Sequence, residues 1–227
     1  MEGEADPAFV KAIAHEVGHQ GPFSRSDLAN IDELYIRNAR SLAGIERCSS
    51  VEILIIVGCD PVRIRDLVSL SSLRSLTIRD SGISDLQGIA ELALRSFTAP
   101  RNFIGDVSDL LSCGRLQSVD LTGNPLSEDS YFEVIPTLRR KLRQVQYSEE
   151  LEWRVTVHLH QHGVPVSCYA SDRGYRLCRP GLRLTGSPEF AHPVITEEGV
   201  RELLRDPESA YRYFDRDDFL VPSNRSS

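Results

Sequence analysis

No apolar run in the sequence approaches the roughly 20 residues that a helix needs to cross a bilayer. The first residues, Met1-Glu-Gly-Glu-Ala-Asp6, are acidic where an export signal is basic and then apolar. These two shortages set the expectation of a cytoplasmic protein with no membrane partner. Positive charge is also short. With 26 Lys and Arg against 33 Asp and Glu, a net charge of −7 and a pI near 5.4, nucleic acid is not the expected partner, because its affinity comes from neutralising phosphates. A glycine-rich phosphate loop is missing, as is any nucleophile and base at a recognisable spacing, so no cofactor is expected. What remains is an ordinary globular composition, 41% apolar and 26% charged, in a chain long enough for one array plus one appendage.

The positive signal is a recurring pattern. Leu73-x-x-Leu76-x-Ile78-x-x-Ser81-x-Ile83 is followed by Leu94-x-x-Phe97-x-Ala99-x-x-Asn102-x-Ile104, then by Leu116-x-x-Val119-x-Leu121-x-x-Asn124-x-Leu126. The starts stand 21 and 22 residues apart, a leucine-rich repeat period. Weaker copies begin at Ile31 and Val51, so five strands are expected. Between strands, Ile83-x-x-Leu86-x-x-Ile89-x-x-Leu92 and Ile104-x-x-Val107-x-x-Leu110-x-x-Cys113 have a three-residue spacing that suits short 3₁₀ returns. The ninth position carries Ala39, Cys59, Ser81, Asn102 and Asn124; the two asparagines can bond backbone groups of the adjoining turn, with Cys and Ser as weaker substitutes. Cys48, Cys59 and Cys113 fall at repeat positions normally buried, and five cysteines are an odd number, as expected for reduced thiols.

From about Asp6 to about Tyr147 these residues resemble the bacterial internalin-like leucine-rich repeats. Ser41-Leu-Ala-Gly-Ile-Glu46 is similar to that family's first return, and Leu121-Thr-Gly-Asn-Pro-Leu-Ser127 with Ser130-Tyr131 and Ile135-Pro136-x-Leu138 to its last-repeat ending. The resemblance implies a solenoid that recognises protein on its concave face. A bias of 24 arginines to 2 lysines fits a GC-rich bacterial source.

Side chains alternate across a strand, so the residues between the apolar positions line the concave side. Three columns follow: Glu33, Ile53, Ser75, Ser96, Ser118; Tyr35, Ile55, Thr77, Thr98, Asp120; and Arg37, Val57, Arg79, Pro100, Thr122. Ile53, Ile55 and Val57 place three apolar side chains on a face expected to be wet, and such patches mark interaction sites. Tyr35, Arg37 and Arg79 flank them with residue types common at binding hot spots. The candidate protein-binding set is Tyr35, Arg37, Ile53, Ile55, Val57, Thr77, Arg79, Thr98 and Asp120. The alternative is that the C-terminal segment folds back over the patch.

Asp6-Pro7 opens an N-terminal helix in which Phe9, Val10, Ile13 and Val17 recur on one side. It contains His15-Glu16-Val17-Gly18-His19, a match to the HExxH zinc-hydrolase motif. On a helical wheel His15 and His19 lie roughly 200° and 240° from Ile13, away from the apolar stripe, and no third ligand stands at metalloprotease spacing. A solvent-facing cap helix is the expectation, with a zinc-dependent hydrolase as the alternative. Past Ser127, residues 130–142 read as a helix that Pro136 kinks, ending in the basic cluster Arg139-Arg140-Lys141.

Beyond Glu150, Trp153, Val155, Val157 and Leu159 alternate with polar residues and read as a strand, with His158, His160 and His162 on its wet face. Val164 to Ala170 and Tyr175 to Arg179 complete a meander about a turn at Ser171-Asp-Arg-Gly174, which would set Cys168 opposite Cys178. Thr196 to Leu204 reads as a capped helix. The expected fold is α/β: a leucine-rich repeat solenoid of about five coils behind a cap helix at 1–22, with repeats and capping helix at 23–147 and a small α+β domain at 148–227. The expected function is non-enzymatic protein binding by an adaptor, regulator or immunity-type protein; an activity carried by residues 148–227 stays open.

Overall fold

The computed structural model describes residues 5–190 and 192–214. Helix α1 (Pro7–Val17) opens where Asp6 accepts hydrogen bonds from the Ala8 and Phe9 amides, and it buries Phe9 and Ile13 against the first coil. After a short α2 (Arg25–Ala29), strands β1 (Glu33–Arg37), β2 (Ile53–Val57), β3 (Ser75–Arg79), β4 (Ser96–Thr98) and β5 (Ser118–Asp120) pair in parallel at the expected spacing. The returns through Ile45–Arg47, Ile64–Leu67, Ile89–Glu91 and Ser108–Ser112 are 3₁₀. A sixth strand was not expected. Helix α3 (Ile135–Lys141) closes the core with Ile135 and Leu138, and β6 (Gln144–Gln146) then extends the sheet beside β5. Immediately before α3, Ser130–Val134 is π-helical, because Pro136 lacks an amide hydrogen and its ring crowds the preceding turn.

Polar ninth positions tie the coils together. Asn124 Oδ1 accepts from the Asn102 and Ile104 amides, Asn102 Oδ1 from Ser81 and Ile83, Ser81 Oγ from Cys59, and Cys59 Sγ from Ala39. Ser148 Oγ ends the series on the Gly123 amide. Every coil thus satisfies buried amides of the coil before it, which β-strand pairing alone leaves unbonded.

The strand expected at Trp153 to His160 is instead helix α4 (Glu150–Gln161). Its buried residues, Glu152, Trp153, Val155, Thr156 and Leu159, follow helical and not alternating spacing. The polar Thr156 belongs to the core because its hydroxyl both accepts from the Cys168 amide and donates to the Cys168 carbonyl. Trp153 joins the repeat core, its indole donating to the Leu126 carbonyl at 2.7 Å and stacking on Tyr131 at 4.0 Å. Val155 and Leu159 belong to a second core with β7 (Ser167–Ser171), β8 (Gly174–Cys178), β9 (Val194–Ile195) and α5 (Glu197–Arg205). The sheet β7-β8-β9 is antiparallel. Its register sets Cys168 opposite Leu177 and Ser167 opposite Cys178, one residue off the expected pairing, so the two cysteines point to opposite faces and all five thiols are free.

His158 and His160 of α4 and the C-cap His162 therefore do not share a face. His158 and His162 lie one turn apart with ring centroids at 4.3 Å, while His160 packs edge-on to Phe103 of the solenoid. Burial lowers the His160 pKa from 6.5 to about 4, so the folded state requires the neutral ring. Its stabilising contribution is complete above pH 6.5 and is lost as pH falls from 6.5 toward 4, where the unfolded chain takes the proton first. In urea titrations across this window the wild type loses stability on acidification. His160→Phe is expected to flatten part of that slope; identical slopes in the two proteins would refute the role of this ring. His192, also lowered by burial, acts in the same direction and keeps the remaining slope.

Candidate interaction surface

The strand register produces the expected columns on the concave sheet: Glu33 beside Ile53 beside Ser75, and Tyr35 beside Ile55 beside Thr77. Gln144 and Gln146 of β6 extend the first two columns. Tyr35 is 40% and Ile53 39% exposed, diagonal neighbours on adjacent strands, and Ile55 between them is half-buried. Thr77, Thr98 and Asp120 continue the second column half-buried, while Arg37 and Arg79 are exposed. Val57 departs from the expectation at 1% exposure. At this end of the strand the C-terminal segment does fold back.

That segment, residues 178–190, crosses the turns that follow the strands. Asn38, Gly58, Asp80, Arg101 and Gly123 occupy equivalent places in successive coils and all have positive φ. Over this row Glu189 accepts from Arg37 Nε at 2.7 Å and from Asn38 Nδ2 at 2.9 Å. A Cβ on Gly58 would meet Asn38 Oδ1 and stand 2.9 Å from Glu189 Oε2, so the cover closes only over glycine. Further along, Arg183 pairs with Asp60 at 3.0 Å and the Gly181 amide donates to the Asp80 carbonyl at 2.9 Å. Arg37, one of the two arginines of the binding set, lies 4.6 Å beneath the ring of Phe190, which is itself 59% exposed. Phe190 thus adds an aromatic face to the rim of the patch that sequence reasoning assigned to the repeats alone.

The densest polar cluster lies under this crossing. Asp80 receives Arg101 Nε at 2.6 Å and Nη2 at 3.0 Å, and the Cys178 thiol donates to Asp80 Oδ1 at 3.4 Å. His192 lies 4.0 Å from the same carboxylate. Asp80, Cys178 and His192 form the His/Cys/Asp/Glu group placed closely enough to share a metal ion among the described residues. Their bonding is already complete. The Pro188 carbonyl, 2.8 Å from His192 Nε2, can only accept, so Nε2 carries the hydrogen and Nδ1 accepts from the Tyr169 hydroxyl at 2.7 Å. Both carboxylate oxygens of Asp80 serve Arg101, and burial pushes the Cys178 thiol well above its usual 9.0, holding it protonated. Arg101 also lies 4.9 Å over the Tyr169 ring. The donor set is a closed network that fastens the C-terminal part to the repeats.

Nor does the HExxH match form a helical metal pair. Helix α1 ends at Val17, Gly18 turns left-handed at φ 77°, and His19 lies past the end of the helix, its Nδ1 2.8 Å from the Gln20 carbonyl and its Nε2 3.5 Å from Asp27. His15, Glu16 and His19 are all exposed. Two histidines bind one zinc from a helix only when both stand on it one turn apart.

No helix among the described residues is long and apolar enough to cross a membrane. No protein-family model matches the chain, and no curated protein matches it. Solved structures do. An internalin, InlF, from Listeria monocytogenes aligns with a TM-score of 0.50 at 18% identity, over 67% of this chain and 47% of that one. Internalin C2 from the same organism gives 0.44 at 18%, over 67% and 80%, and the functional domain of InlJ gives 0.35 at 14%, over 67% and 44%. The chain thus spans less than half the length of the InlF structure. Parallel strands at a 20 to 22 residue period, 3₁₀ returns and the alignment to InlF agree: the repeats have the internalin-type leucine-rich repeat fold.

Proposed function

We propose that this chain is a non-enzymatic protein-recognition module that receives a protein partner on the concave sheet around Tyr35, Ile53 and Ile55, with residues 148–227 as a small α+β domain bordering that site. The observation that carries the reading is the pair of large side chains, Tyr35 and Ile53, that stay about two-fifths exposed as diagonal neighbours beside the half-buried Ile55 on the concave sheet. Tyrosine and arginine are enriched at binding hot spots, and contiguous exposed apolar surface marks interaction sites. Arg37 and Phe190 extend the patch at one end, and Thr77, Thr98, Arg79 and Asp120 form its polar continuation. The internalin-type fold supports the same class of function. Bacterial adaptor, regulator and immunity-type roles all use such a module, and a cytoplasmic one fits the free thiols.

The test compares wild type with Ile53→Asp and Ile55→Asp in capture experiments from a bacterial lysate, followed by titration of the captured protein. Ile53→Asp is expected to weaken binding by 2 kcal/mol or more, about 30-fold, with an unchanged unfolding midpoint because the side chain faces solvent. Retained binding by both variants would remove the concave patch from the account.

A further inference from the structure

The two ends of the repeat sheet are finished differently. At β1 the N-terminal helix covers the core, and Asp6 Oδ2 accepts from the Arg40 amide at 2.8 Å. At the other end α3 and Trp153 close the core, but β6 remains an edge strand with no neighbour beyond it among the described residues. Toward β5, the Arg143 and Gln144 amides donate to the Gln117 carbonyl, and the Gln146 carbonyl accepts from the Leu121 amide. Backbone groups alternate in direction along a strand. The Val145 amide and carbonyl therefore face outward, flanked by the Arg143 carbonyl and the Tyr147 amide. None of these four groups has a hydrogen bond among the described residues.

We propose that this edge pairs antiparallel with the same edge of a second copy of the chain. A two-fold axis between the Val145 residues makes this match complete. Each Val145 donates to and accepts from the other, and each Tyr147 amide donates to the partner's Arg143 carbonyl, so all four outward groups on each copy are satisfied. A strand pair related in this way is isologous, the commonest interface symmetry.

Charge selects a second copy over a foreign strand. Arg139, Arg140, Lys141 and Arg143 precede Val145, and Glu149 and Glu150 follow it. Antiparallel pairing about Val145 brings the basic stretch of one copy onto the acidic stretch of the other; parallel pairing would set basic against basic. None of the four basic residues, nor Glu149, has an ion pair among the described residues, while Glu150 has its own with Arg154 at 2.7 Å. Gln144 and Gln146 are exposed and Val145 half-buried, so neither copy must rearrange to present the edge. The proposal is independent of what binds the concave patch, since the axis lies at the far end of the sheet from Tyr35 and Ile53.

Sedimentation of the full chain at concentrations up to about 100 µM tests it. Wild type is expected to approach twice the chain mass of 25.4 kDa. Val145→Pro removes an amide that plays no part in the β5 ladder, a place where an edge strand tolerates proline; it should sediment as a monomer, with dimer affinity at least tenfold weaker and an unchanged circular dichroism spectrum. A second pair of variants covers the case in which proline disturbs the strand. Arg140→Glu with Lys141→Glu, and Glu149→Lys with Glu150→Lys, should each be monomeric alone and form a heterodimer when mixed. A monomeric wild type, or a dimer that survives both Val145→Pro and the charge reversals, overturns the proposal.

Discussion

Asn102→Leu is expected to cost about 4 kcal/mol, a large part of the stability of a domain that has only about 5–15 kcal/mol in total. Asn102 is fully buried, and its Oδ1 is the acceptor for both the Ser81 and Ile83 amides, at 3.0 and 3.4 Å. Leucine has similar volume and fills the same space, but it strands two buried N–H groups, each costing about 1–3 kcal/mol when left unpaired. Of the three carbonyls it abandons, that of Ala99 also accepts from Asn124 Nδ2 at 2.7 Å and that of Pro100 from the Asp80 amide, whereas that of Ile78 loses a 2.7 Å bond and adds to the cost. Ser81→Ala strands only the Cys59 amide and should cost about half as much. Urea unfolding followed by the fluorescence of Trp153, the one tryptophan in the chain, measures both. A loss below about 1 kcal/mol for Asn102→Leu would mean that the ladder accompanies coil stacking without maintaining it.

That ladder was legible in the sequence, and the reason is physical. Each coil places its ninth residue directly over the ninth residue of the next, so one period determines who bonds whom, including the weaker Ser81 and Cys59. The concave columns followed from the same period and strand alternation. Where the periodic constraint ended, so did legibility. β6 contains one apolar residue, Val145, between two glutamines, and it follows a helix in place of a regular return; a single inward side chain carries no period. In α4, Trp153, Val155, Val157 and Leu159 satisfied strand alternation because a helical stripe over ten residues also contains several odd-numbered positions. Only the burial of Thr156 and Glu152 distinguishes the two. Val57 belongs to the concave column by register but is buried, at the end of the strand where Glu189, more than 130 residues away in the chain, reaches the neighbouring Arg37, Asn38 and Gly58.

The fastening network was illegible for the same reason in a stronger form. Asp80 and Arg101 meet because coils stack, whereas Cys178 arrives from the end of β8 and His192 from the loop before β9. Asp80, Arg101 and His192 each read alone as an unremarkable loop residue, and Cys178 as a strand residue facing Cys168. The one local trace is that Asp80 and Arg101 hold φ of 54° and 53° at a turn where Gly58 and Gly123 stand in other coils. A non-glycine residue accepts that conformation at a cost, and here the side chains it orients make the bidentate pair.

Asp80→Asn should therefore release the C-terminal segment while leaving the coils folded. Asparagine is as well suited as aspartate to the left-handed turn, so backbone strain does not change. The charge does, and Arg101, whose side chain is 17% exposed, loses the carboxylate that offsets its burial. Breaking a buried pair from one side costs about 3–5 kcal/mol, here taken from the contact between segment 178–190 and the row of turns. Thiol labelling separates local release from global unfolding. All five cysteines are buried and free in the native protein, and Cys178 is the one that touches Asp80. In wild type, labelling in the absence of denaturant should be slow at every cysteine. In Asp80→Asn, Cys178 alone should label about a hundredfold faster, the factor that about 3 kcal/mol gives in an opening equilibrium. Simultaneous acceleration at Cys48, Cys59 and Cys113 would show instead that the coils depend on this pair, and that the C-terminal part and the repeats unfold as one unit. Unchanged labelling at Cys178 would show that the hydrogen bonds of Gly181 and Glu189 hold the segment without the charge pair.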